Sequence, residues 1–390
     1  MTLSIFLAFL RLGLSAFGGP IAHLGYFRAE FVERRRWLGD RAFGDLVALC
    51  QFLPGPASSQ AAFGIGLLRG GVAGGLAAWG AFTLPSALLM LLFAYGVGDA
   101  AASPLAEGLL HGLKLVAVAI VAQAVLGMAR TLCPDRARAA LAALAVIMLL
   151  LIPGSPGQII TIVMGGAAGL RFCRYKGELP PDDLAAPIGH KFGAACLGLF
   201  FALLILSFLP ARAGALALFD AFYRSGALVF GGGHVVLPLL RDAVVTPGWV
   251  SDSGFLTGYG AAQALPGPLF TFAVYLGAVA GLPPGGVAGA AIALFAISLP
   301  GLLTLAGAFP FWNRLRANPS AQAIMRGVNA AVVGLLASAL YNPVWTGAVK
   351  NPADFAVAVT GFVLLVAWRA PPILVVVLCA AAGLAVARLT

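Results

Sequence analysis

Two arginines, Arg11 and Arg224, stand within apolar stretches, and each precedes a double glycine (Phe17-Gly18-Gly19 and Phe230-Gly231-Gly232). A charge near the bilayer centre costs about 2.5–3.5 kcal/mol on insertion scales, so such residues usually face a pathway or a partner. Arginine also offers planar, bidentate donors matched to oxyanions. If both face a common cavity, their chemistry is recognition of an anion. The plain alternative for Arg11 is snorkelling to the interface from its place near the N-terminus.

A second pair of motifs makes the same suggestion. Leu53-Pro54-Gly55-Pro56 is followed by Ser58, Ser59 and Gln60, and Leu265-Pro266-Gly267-Pro268 is followed by Thr271. Each lies inside an apolar segment, where proline removes a backbone donor and pushes the preceding residue out of the α region. Broken backbone survives in lipid only where protein or a watery cavity satisfies its polar groups. A helix restarting after Pro56 or Pro268 exposes free N–H groups at its positive end, and nearby hydroxyls and amides could replace an anion's hydration shell. Equally, Ser58 and Ser59 could simply cap the restarted helix. Gln51 and Gln263, just before the breaks, read as braces for the freed backbone.

Other polar residues are weaker candidates. His23 and His234 each follow a glycine-rich break and read either as gating groups or as satisfied structural histidines. Asp45 and Asp220 read as ion-pair partners or proton carriers. The run Arg34-Arg35-Arg36 reads as a topology anchor, and the glycines between 64 and 75 as close helix contacts. No phosphate-binding GxxxxGK[ST] motif occurs. The five cysteines show no CxxC spacing, so no metal site, disulfide framework or cofactor is expected.

The elements that must position these residues are apolar. Hydrophobic residues make up 61% of the 390, charged residues only 10%, and the net charge is +10. Soluble domains carry about 25% charged residues, so the reading is an all-α integral membrane protein. Its arginines cluster between apolar runs and serve topology, not nucleic acid. Met1 leads straight into an apolar run, and no signal peptide is expected. Four scattered histidines argue against the rival reading, a membrane enzyme acting on a lipid-linked substrate.

The first half recurs at an offset of roughly 213 residues. Arg11 matches Arg224, Trp37 and Asp40 match Trp249 and Asp252, Leu84-Pro85 matches Leu299-Pro300, and Gly112 matches Gly327. The expected domains are a first repeat over 1–172, a linker with one extra transmembrane helix over 173–212, and a second repeat over 213–390. Charge bias reverses between equivalent loops. Asp99 to Glu107 is acidic, whereas its counterpart with Arg314, Arg316 and Arg326 is basic. That predicts two inverted-topology repeats, with the extra helix at 192–210 supplying the odd crossing. Re-entrant hairpins for the first two segments of each half place every basic loop inside. Spanning helices with kinks are the alternative.

The stretches from Phe17-Gly18-Gly19-Pro20 to His23 and from Leu53-Pro54-Gly55-Pro56 to Gln60 resemble the chromate transporter superfamily in its long, two-domain form. The resemblance covers essentially the whole chain. It implies a multi-pass inner-membrane permease that expels chromate, driven by membrane potential or an ion gradient, and so confers resistance. Sulfate is the implied competitor, and a sulfate or other oxyanion permease is the alternative. The family motifs fall on Phe17, Gly18, Gly19, Pro20, His23, Trp37, Leu53, Pro54, Gly55, Pro56, Ser58, Ser59 and Gln60. The second half departs from them, with Gly233 in place of Pro20 and no Ser-Ser-Gln after Pro268, which favours the first half for substrate contacts. Expected partners are the anion and the bilayer, with a homodimer compatible.

Overall fold

The computed structural model describes every residue except 18, 101–103, 175–186, 210–212, 231–232 and 390. Its regular structure is helical, with no strand among the described residues. The chain opens with α1 (Thr2–Ser15), α2 (Gly19–Phe27), a π-helical stretch Arg28–Arg34, α3 (Asp40–Phe52) and α4 (Ala57–Ala100). Next come α5 (Pro104–Leu132), α6 (Arg136–Leu151) and α7 (Ser155–Phe172), and then α8 (His190–Leu206). The second half runs α9 (Gly214–Ala227), α10 (Val236–Val244), α11 (Asp252–Ala264), α12 (Phe272–Val279) and α13 (Gly286–Ala308). It closes with α14 (Trp312–Ala317), α15 (Pro319–Ala339), α16 (Thr346–Ala348), α17 (Pro352–Val366) and α18 (Pro372–Leu389).

Four stretches are long and apolar enough to cross a bilayer: Ala57–Gly96, Glu107–Leu132, Gly286–Leu315 and Pro319–Ala348. At about 1.5 Å per residue, even the shortest exceeds the roughly 30 Å hydrocarbon core. Large apolar side chains such as Leu150, Val163 and Ile205 are exposed on the outer surface, as lipid contact requires. The protein is an all-α membrane protein. Where an extra transmembrane helix was expected, over 192–210, lies α8, an apolar helix whose 17 residues fall short of the about 20 that span a bilayer. Most of the polar linker before it, including Pro180 to Asp183, lies outside the described residues.

Short helices pack together in each half. Phe9 of α1 stacks on Phe31 at 4.5 Å and meets Phe27 edge-on at 5.6 Å, so the chain folds back between α1 and α2. Tyr275 of α12 donates its hydroxyl proton to the Gly254 carbonyl of α11 at 3.1 Å, tying those two helices together. With 8 to 14 residues each, α1, α2, α3, α10, α11 and α12 are too short to cross the core individually. Inside α4, Gly70 and Gly71 (φ +62°) leave the helical region. A Cβ on Gly66 would lie 2.3 Å from the Gly74 carbonyl oxygen, so the chain doubles back there. The stretch 57–69 is therefore a short helix of its own.

The longer helices pair across the halves. α18 packs along α5, and α7 packs along α15. At the first crossing a Cβ on Gly383 would lie 2.6 Å from the Gly112 nitrogen. At the second, a Cβ on Gly327 would lie 2.6 Å from the Gly169 Cα. Small residues let membrane helices approach this closely without a hydrophobic driving force. Gly112 and Gly327 are the glycines that match in the sequence repeat, so the two crossings are counterparts.

Candidate functional site

The two Leu-Pro-Gly-Pro segments form tips between short helices. α3 ends at Phe52 and α4 restarts at Ala57, while α11 ends at Ala264 and the chain turns helical again at Leu269. Gly55 and Gly267 adopt φ of +127° and +97°, a region open to glycine but strained for other residues. Gly55 donates its N–H to the Val229 carbonyl at 2.7 Å, and Gly267 donates to the Ala16 carbonyl at 2.9 Å. Each tip thus docks on the other half, just before that half's double glycine.

The first tip is closed by its own side chains. Gln60 is fully buried, and its amide nitrogen donates to the Pro54 carbonyl at 2.9 Å and the Gly301 carbonyl at 3.1 Å. The Thr304 hydroxyl lies 3.2 Å from the Pro54 carbonyl, but its shorter bond, 2.8 Å, goes to the Pro300 carbonyl one turn back in α13. The carbonyl freed by the Pro-Gly-Pro break is therefore satisfied by Gln60 of α4. Gln51, expected to act as a brace, is exposed instead. Ser58 and Ser59 are buried in the first turn of α4.

The second tip borders a cavity of about 50 Å³. Its walls are Gly19 and Pro20 at the start of α2, Gln263, Leu265, Gly267 and Leu269 of the tip, Gln123 of α5, and His234. Two helical starts, α2 and the 3-10 turn at Leu269 that leads into α12, open onto this space, and helix N-termini favour anions. Gln263 was expected to brace backbone, yet its amide nitrogen is buried without a hydrogen-bond partner. His234 Nδ1 lies 2.8 Å from the Tyr259 hydroxyl. Beside the tip, buried His23 donates from Nε2 to the Ala16 carbonyl at 3.2 Å, the same oxygen that accepts from Gly267. Thr271 donates to the Pro268 carbonyl at 2.9 Å, capping its own tip.

The model of one family, described as "Chromate transporter", matches the chain twice, at residues 3–170 and 216–384. The chain belongs to the chromate transporter family. It is 31% identical to a chromate transport protein of Pseudomonas aeruginosa, over 98% of this chain and 91% of that one. A chromate transport protein of Cupriavidus metallidurans is 27% identical over 92% of this chain and 86% of its own length. The uncharacterized transporter YwrB of Bacillus subtilis is 40% identical over 119 residues, covering 30% of this chain and 56% of that protein. No solved structure matches the chain.

Within this chain, the residues picked from sequence divide. Gly19, Gly267 and His234 meet at the second-tip cavity, and Pro266 and Pro268 flank it in the chain. Gly55, Pro56 and Gln60 pack against Gly301 of α13. Arg11 is exposed on α1. Arg224 is half-buried, donates to the Ser207 carbonyl at the end of α8 at 2.9 Å, and covers the Phe208 ring at 5.2 Å. The two arginines do not share the second-tip cavity, because neither lines it. Asp45 and Asp220 both engage a neighbouring group. Gly18 lies outside the described residues.

Gln123 was missed by sequence reasoning. A lone glutamine in the apolar α5 was the available signal, since polar groups within a spanning helix tend to face a pathway.

Proposed function

We propose that this protein carries chromate outward across the inner membrane by alternating access, with the second-tip cavity as its oxyanion site. The observation that carries this reading is the partnerless Gln263 amide nitrogen, on a residue that lines one cavity together with two helical starts. A buried donor without a partner costs about 1–3 kcal/mol, and an oxyanion would satisfy it. In the tautomer in which the Tyr259 hydroxyl donates to Nδ1, His234 carries Nε2–H as a further donor. The relatives named as chromate transport proteins supply the substrate class.

The cavity is the size of a few waters, so a tetrahedral dianion enters only when the tips part. Reciprocal docking of each tip on the other half is suited to that motion, because rocking one half breaks the Gly55 and Gly267 contacts together. The two halves act as inverted repeats, with hairpins that enter and leave on one side. Export of a dianion from a cell negative inside gains about 2.3 kcal/mol per charge per 100 mV. Potential alone can then drive efflux and confer resistance, with no buried acid required to carry a proton.

The test is chromate uptake into everted vesicles energised by respiration, comparing wild type with Gln263→Leu. Saturable uptake that collapses with an uncoupler, yields to excess sulfate and weakens in the correctly inserted variant supports the reading. Absence of energised uptake by folded wild type would retire chromate efflux and bring sulfate entry forward.

A further inference from the structure

Far from the tips in the sequence, four arginines line one open cavity of about 560 Å³. Arg136 and Arg138 come from the start of α6, Arg174 from the end of α7, and Arg326 from the first turns of α15. Asp135 is the one acidic residue among those lining the cavity, and Arg138 holds it at 2.6 Å. The local balance is four positive charges against one negative. Arg174 is anchored by donation to the Leu170 carbonyl at 2.9 Å, and Arg326 reaches the Gln322 side chain at 3.2 Å. None of these residues lines the second-tip cavity.

We infer that this cavity is a binding site for a phosphate-class oxyanion, separate from the translocation site. Planar guanidinium forks match the oxygens of a phosphate bidentately, and several forks around one space give a geometry that scattered topology arginines do not. Basic pockets between membrane helices are suited to anionic lipid headgroups. The rim favours that source: Phe172 lines the cavity, is 60% exposed, and lies beneath the Arg171 guanidinium at 5.5 Å. An acyl chain could lie against Phe172 while its phosphate meets the four arginines. A free inorganic phosphate presents the same oxygens without the chain.

The experiment uses the purified full-length protein in neutral detergent. Native mass spectrometry counts retained phosphatidylglycerol, with phosphatidylcholine as the neutral control, and isothermal titration measures inorganic phosphate. Wild type is compared with a combined Arg136→Gln, Arg174→Gln and Arg326→Gln variant, checked for monodispersity. Binding at least about tenfold weaker in the variant establishes the site, and the arm in which it is lost identifies the source. An Arg→Lys version of the same triple keeps the charge but loses the forks. It should bind with intermediate strength, and it replaces the glutamine variant if that one fails to fold. Equal retention of phosphatidylglycerol and equal phosphate binding by wild type and the variant would overturn the inference. So would the binding of neither ligand by wild type.

Discussion

Gly55 donates its backbone N–H to the carbonyl of Val229 at 2.7 Å, across the boundary between the two halves. Its counterpart Gly267 returns the contact to Ala16 at 2.9 Å. Both glycines hold positive φ. The paired bonds satisfy backbone that the prolines had removed from helices, and they tie each tip to the other repeat.

Alanine at either tip should therefore be costly. A Cβ on Gly55 would lie 2.8 Å from the Gly301 Cα, and one on Gly267 would lie 2.7 Å from the Ser86 hydroxyl. Backbone strain alone contributes about 1–3 kcal/mol. Thermal unfolding in detergent should show Gly55→Ala and Gly267→Ala clearly less stable than wild type. Gly80→Ala is the control, because its added methyl meets open space and alanine is the better helix former.

Gln60 and Gln263 should separate stability from transport. Gln60→Leu removes the amide that satisfies the Pro54 and Gly301 carbonyls. Leaving them short of donors should cost about 1–3 kcal/mol, read as a lower unfolding midpoint. Gln263→Leu removes a donor without a partner. It should leave the midpoint unchanged or raised, while chromate uptake falls through a higher KM. A drop in stability at Gln263 with normal uptake would count against the proposed site.

The matched arginines should behave differently despite their equivalent sequence positions. Arg224→Gln loses the bond to the Ser207 carbonyl and the cover over Phe208. A charged donor at a helix C-terminus contributes about 0.3–1 kcal/mol when exposed and up to about 2 when partly buried. Arg11→Gln, on an exposed face, should change unfolding by no more than about 0.5 kcal/mol. Equal losses of transport in both variants, at normal stability, would instead return them to a shared anion path.

Acid should loosen the start of α6. The Arg138 backbone N–H and then its guanidinium hold the Asp135 carboxyl below the usual carboxylate range. A group with a lowered folded pKa stabilises fully above its unfolded value of about 3.9, and that contribution is lost as pH falls through the folded value. Hydrogen exchange at the Arg138 amide should therefore lose protection, relative to neighbouring helix amides, as pH falls below about 4. Asp135→Asn keeps the capping oxygen and should abolish this pH dependence.

The sequence by itself determined the class of protein and the places where its helices break. Apolar content, Pro-Gly-Pro inside apolar runs, and two copies of one pattern are local properties that proline geometry and the bilayer translate directly into broken helices. It pointed to Gly55 and Gly267 as special for the same reason. It could not say which half each tip docks on, because the partners Val229 and Ala16 lie far away in the chain and carry no distinctive side chain. It also paired Arg11 with Arg224 by position, whereas tertiary packing leaves one exposed and sends the other to the end of α8. The roles of Gln60 and Gln263 were decided the same way. An amide beside a break can brace backbone or face a cavity, and only the nearness of Pro54 and Gly301 to one, and open space beside the other, makes the difference.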